Sequence, residues 1–138
     1  MAVLESVFEK ELEDIAKALN CLYIKIPDAI PFKERRERSS WAARRRPFDG
    51  ILSTPSANIA LELKINYTPL ADHQKEYLYS IRTLNGLAFC LRMIDSTKKT
   101  KYRLDAVIRN GLEFDKEVIL ESENLLDIFQ FLKEIGGN

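Results

Sequence analysis

The chain is poor in the residues that most metal, redox and nucleophile chemistries need. Its 138 residues include one histidine and two cysteines. Cys21 and Cys90 stand apart in apolar surroundings, with no second cysteine or histidine at ligand spacing. That excludes a disulfide framework and a zinc set, and reads as two reduced, buried thiols of a cytoplasmic protein. His73 alone supplies no catalytic triad. The five glycines form no phosphate cradle, which disfavours an ATPase or kinase and predicts no nucleotide cofactor. No apolar run approaches the roughly 18 residues of a membrane span, so no membrane association is expected. The N-terminus is acidic and amphipathic, unlike a signal peptide. Net charge is also missing: 21 basic residues balance 21 acidic ones, so the total says nothing about partners.

What is present fits one globular domain spanning 1–138 around a single core, with 46% hydrophobic residues. The charge is unevenly distributed. Lys33 to Arg46 holds seven basic residues against Glu34 and Glu37, whereas Gly111 to Asn138 holds seven acidic residues against Lys116 and Lys133. Residues 28–46 lack a clean period, contain Pro31, and read as a mobile basic loop or arm. Such a run is either a solvated charge stretch or a grip on phosphates, with Trp41 available to stack on a base. The cluster Arg44-Arg45-Arg46 favours the grip, and Arg35, Arg36, Arg38, Trp41, Arg44, Arg45 and Arg46 are the candidate DNA contacts.

Hydrophobic periodicity places the elements. Ala2 to Asn20 reads as a helix with Leu4, Val7, Phe8, Leu12, Ile15 and Leu19 on its apolar stripe. Cys21 to Pro27, Arg45 to Ser53 and Ala57 to Ile65 read as strands. Leu70 to Asn85 reads as a second helix with the stripe Leu70, Tyr77, Leu78, Ile81 and Leu84, closed by Asn85-Gly86. Leu87 to Ile94 reads as a central strand and Tyr102 to Ile108 as one nearer an edge. Val118 to Leu120 suggests a short strand, and Asn124 to Ile135 a closing helix. The order α-β-β-β-α-β, with further strand and helix, predicts an α/β mixed sheet flanked by helices on both faces.

Two short stretches carry the chemistry. In Asn58 to Ile65, Glu62 and Lys64 share a face, about 7 Å apart along the strand. Asp49, in Pro47-Phe48-Asp49-Gly50, comes from the strand that pairs with it as a hairpin. Two carboxylates and an ammonium then meet at one end of the sheet, suited to Mg²⁺ or Mn²⁺ with an activated water. Asp49, Glu62 and the Leu63 carbonyl are the expected metal ligands, and Lys64 the group that orients water or steadies developing charge. Gln74 lies on the apolar stripe of the second helix and needs a partner: a backbone carbonyl, a metal water, a site carboxylate or a DNA phosphate. Glu5, Glu9 and Glu11 on the first helix are either boundary charges or an accessory ligand.

The interval from Asp49 to Glu62, the triplet Glu62-Leu63-Lys64 and the element order resemble the PD-(D/E)XK nuclease superfamily, whose fold is restriction-endonuclease-like. Pro-Phe-Asp-Gly-Ile-Leu, Ala-Leu-Glu-Leu-Lys, Pro69-Leu70-Ala71-Asp72-His73-Gln74 and Gly86-Leu87-Ala88-Phe89 are similar to RecU-type Holliday junction resolvases. The resemblance runs from about Ser6 to Ile94. It implies catalytic roles for Asp49, Glu62 and Lys64, support from Gln74, and Glu9 as the acid of the first helix. It further implies a Mg²⁺-dependent endonuclease, a four-way DNA junction as partner, and a homodimer. Phe48 stands where the motif has proline, and residues 28–46 differ from the RecU stalk. Another repair or restriction-like nuclease of the superfamily, or a non-catalytic DNA-binding module of the same fold, are the competing expectations.

Overall fold

Alternating apolar residues and one parallel crossover determine the architecture. The computed structural model describes residues 2–27 and 47–135. In chain order the elements are α1 (Ala2–Ala18), β1 (Leu22–Lys25), β2 (Gly50–Ser53), β3 (Asn58–Ile65), α2 (Asp72–Thr83), β4 (Leu87–Asp95), β5 (Thr100–Asn110), β6 (Glu113–Ser122) and α3 (Leu125–Ile135). The strands form one six-stranded sheet in the order β1-β2-β3-β4-β5-β6. Neighbours are antiparallel except β3 and β4, which are parallel. A parallel pair cannot be closed by a hairpin, and α2 makes the crossover. The expected α/β mixed sheet and element order are what the structure has.

The two faces of the sheet differ in content. One face, with Leu52, Ile59, Leu61, Phe89, Leu91 and Leu104, packs against Phe8, Leu12 and Ala16 of α1 and against Leu125, Ile128, Phe129 and Leu132 of α3. Each fully buried large side chain contributes about 1.5–3 kcal/mol, so this face dominates stability. The other face packs Ala60, Ala88 and Val107 against Leu78 of α2, with Phe48, Leu70 and Ile81 at its margin. Small residues on the strands let α2 sit close, and they leave room on this face for charged groups.

β5 lies one strand in from the edge, between β4 and β6, nearer an edge than β4 as expected. Several other expected details change. β6 spans ten residues rather than three, because most of its side chains are exposed and an edge strand shows little alternation. Val7, Tyr77 and Leu84 lie on their apolar stripes yet are exposed. Asn85, at φ 69°, takes the left-handed position after α2, and the Gly86 N–H donates to the Ile81 carbonyl. Residues 28–46 lie outside the described residues, and with them the arm and its candidate DNA contacts Arg35, Arg36, Arg38, Trp41, Arg44, Arg45 and Arg46. Both cysteines are free and buried. Among the described residues, no helix is long and apolar enough to cross a membrane.

Candidate active site

Asp49 ends the segment that enters β2. Its carbonyl accepts the Ile26 N–H at 2.8 Å, which carries the β1–β2 ladder one step further. Its carboxylate Oδ2 accepts the Leu63 N–H of β3 at 2.7 Å. This bond holds the acid against the strand that bears Glu62. The next residue must be glycine for a steric reason: a Cβ on Gly50 would lie 2.5 Å from the Tyr23 ring and 2.7 Å from the Ile24 carbonyl.

Glu62 is buried, on the α2 face of the sheet, at 3% exposure. Its Oε2 accepts from Gln74 Nε2 at 2.8 Å and lies 3.4 Å from Lys64 Nζ. Its Oε1 is buried and has no partner among the described residues. Burial first, and the negative charge of Asp49 second, push the Glu62 carboxyl up to about 8, while Lys64 pulls the other way. The Glu62 carboxyl therefore holds its proton at neutral pH in the absence of a cation. Cys90 is the cross-strand neighbour of Glu62, and burial pushes its thiol up to about 12, so it offers no thiolate.

Gln74 reaches Glu62 because of how α2 begins. Its Oε1 accepts the N–H of the N-cap residue Ala71 at 2.9 Å. This is the return limb of a capping box, since alanine has no side-chain acceptor for the other. With the amide oxygen committed to the helix start, the amide nitrogen faces the carboxylate. Of the partners open to Gln74, the structure selects a site carboxylate.

A divalent cation fits these groups. Among the described residues no three His, Cys, Asp or Glu side chains converge. Mg²⁺, however, needs only one or two carboxylates and keeps several waters. The unpartnered Oε1 and the raised pKa of Glu62 both mark a place where positive charge would relieve strain. The N–H and C=O of a strand residue point to one side, so the Leu63 carbonyl turns toward Asp49 with its N–H.

The structure brings together Asp49, Glu62, Leu63, Lys64 and Gln74. It does not bring Glu9 to them. Glu9 pairs with Lys25 at 3.1 Å, and α1 packs on the opposite face from Glu62 and Lys64. Glu11 accepts the Tyr102 hydroxyl at 2.9 Å, and Glu5 is exposed. His73 sits on the first turn of α2, half-buried. Sequence reasoning passed over Arg92, Arg103 and Asp105 on the same face. Each is a charge inside an otherwise apolar strand, and that interruption was the available signal.

No family model and no curated protein matches the chain. Among solved structures it is similar to Archaeoglobus fulgidus Hjc, a Holliday junction resolvase from an archaeal hyperthermophile. The TM-score is 0.53 at 16% identity, over 89% of this chain and 98% of that one. The chain has the fold of Hjc. At that identity the likeness is one of fold.

Proposed function

We propose that this protein is a metal-dependent DNA endonuclease that resolves four-way junctions. The observation that carries the reading is the cluster of Asp49, Glu62, Lys64 and Gln74, in which one buried carboxylate oxygen lacks a partner. The fold it shares with a Holliday junction resolvase supports the choice of substrate, as does the resemblance of its motifs to RecU-type resolvases. Asp49 and Glu62, with the Leu63 carbonyl, would hold Mg²⁺ or Mn²⁺. The cation would supply Lewis acidity and a water of lowered pKa.

The chain's own groups divide the remaining work. The Leu63 N–H orients the Asp49 carboxylate, and Gln74 fixes the rotamer of Glu62. Lys64 Nζ lies 3.4 Å from Glu62 Oε2, longer than a tight charged hydrogen bond, and can turn its ammonium to a phosphate oxygen that gains charge. Loss of the phosphodiester bond leaves a hydroxyl on one side and a phosphate on the other. Symmetric resolution of a junction requires two such sites, so the active species is a homodimer.

The test is cleavage of labelled four-way junction, duplex, flap and single-stranded DNA in Mg²⁺ or Mn²⁺. Paired symmetric cuts confined to the junction, lost in Asp49→Ala and Lys64→Ala, are expected. Equal cutting of duplex or flap would remove the junction and keep the chemistry. Metal-independent binding with no cutting of any substrate would leave a DNA-binding module.

A further inference from the structure

Lys64, Arg92 and Arg103 stand opposite one another on three adjacent strands. The β3–β4 register pairs Lys64 with Arg92, and the β4–β5 register pairs Arg92 with Arg103. Neighbouring strands are about 5 Å apart, and facing like charges repel unless each is compensated. Two of the three are. Glu62 lies beside Lys64, and both oxygens of Asp105 accept from Arg103 at 2.9–3.2 Å.

Arg92 is the exception. It is 6% exposed, and among the described residues no carboxylate pairs with it. Its Nη1 donates to the carbonyls of Asn66 and Thr68 at 2.8 and 2.6 Å. Its Nη2 has only the Cys90 sulfur at 3.9 Å, and its Nε has no acceptor. Two carbonyls offset part of the cost of burying a guanidinium, but they do not neutralise it.

Arg92 and Arg103 line a cavity of about 470 Å³ on the α2 face. That volume lies within the range of small-molecule sites. Lys75 and Lys116 add two more cations to its lining, against Asp105 and Asp115. Asp105 is already committed to Arg103, so the surplus is positive. Tyr67 and Leu70 supply an aromatic and an apolar surface beside these charges.

We infer that this cavity is a phosphate subsite, and that it takes the nucleotide next to the one held at Asp49 and Glu62. Arg92 supplies its buried charge, the half-buried Arg103 and Lys75 add two more cations, and Tyr67 offers a surface for the base. The row that begins at Lys64 thereby continues along one DNA strand. The inference rests on the nuclease reading, since that reading names the strand.

The test uses the full chain with Ca²⁺ in place of Mg²⁺ and a fluorescent single-stranded oligodeoxynucleotide. The variant combines Lys75→Ala with Arg103→Gln and Asp105→Asn. It keeps the pair within β5 hydrogen-bonded and leaves the bonds of Arg92 to the Asn66 and Thr68 carbonyls untouched. DNA affinity should fall about 10-fold, with the slope of log K against log salt reduced by about 1. Inorganic phosphate, at ionic strength matched with chloride, should raise the unfolding temperature of wild type and of Asp49→Ala but not of the triple variant. DNA bound equally by wild type and variant, with the same salt slope, overturns the inference and leaves the nuclease reading standing. A wild type that binds no DNA, yet is stabilised by phosphate only when these three residues are intact, refutes the nuclease reading and keeps the cavity as a phosphate site. Equal or absent stabilisation by phosphate in that case overturns both.

Discussion

A single carboxyl group couples stability to the site. Glu62 holds its proton up to about pH 8 in the fold, against an ordinary value of 4.5. The folded protein therefore binds a proton that the unfolded chain has released. The associated stability is complete below about pH 4.5 and is lost as pH rises through about 8. Glu62→Gln removes this dependence: the metal-free variant should melt above wild type at pH 8, and the gap should close toward pH 5. Melting curves that run parallel at both pH values would contradict the assignment. Gly50 constrains the same corner sterically. Gly50→Ala drives a methyl into the Tyr23 ring and the Ile24 carbonyl, and should cost about 1–3 kcal/mol in urea unfolding. The aspartate and glycine were legible side by side in the sequence, but the reason for the glycine was not. It lies in a contact with β1, across a gap of more than twenty residues.

At the scale of the element, α2 links packing to chemistry. Leu78 is its one fully buried side chain, whereas α3 buries four. Leu78→Ala should cost about 3 kcal/mol, measured by chemical denaturation, and should loosen the helix that carries Gln74. Gln74→Ala tests the link directly. It removes the acceptor of the Ala71 N–H and the donor to Glu62, for about 1 kcal/mol of stability and a 10- to 100-fold loss of metal affinity. The elements were largely legible because alternation in β3 and helical periodicity in α2 are both strong. β6 was not, since an edge strand with exposed residues on both faces shows no period. Charges along it, Glu113, Asp115, Lys116, Glu117 and Glu121, protect that edge from pairing with another chain.

For the whole molecule, the sheet separates a structural face from a chemical one. α1 and α3 bury the larger core on one side, and α2 covers the side that bears Glu62, Lys64, Arg92 and Arg103. Sequence alternation told which residues share a face, but not which helix covers it. That is why Asp49, Glu62, Lys64 and Gln74 could be grouped from sequence, while Glu9, expected as the first-helix acid of the site, is found paired with Lys25. Arg92 went unnoticed for a related reason: its meaning depends on the register of three strands, which no local pattern encodes. On the proposed function, the chemical face binds a divalent cation at Asp49 and Glu62. Calorimetric titration of Mn²⁺ into metal-free protein tests it most directly. Saturable binding by wild type is expected, weakened at least about 10-fold in both Asp49→Asn and Glu62→Gln. Absent binding by wild type, or binding unchanged in the two variants, would contradict it.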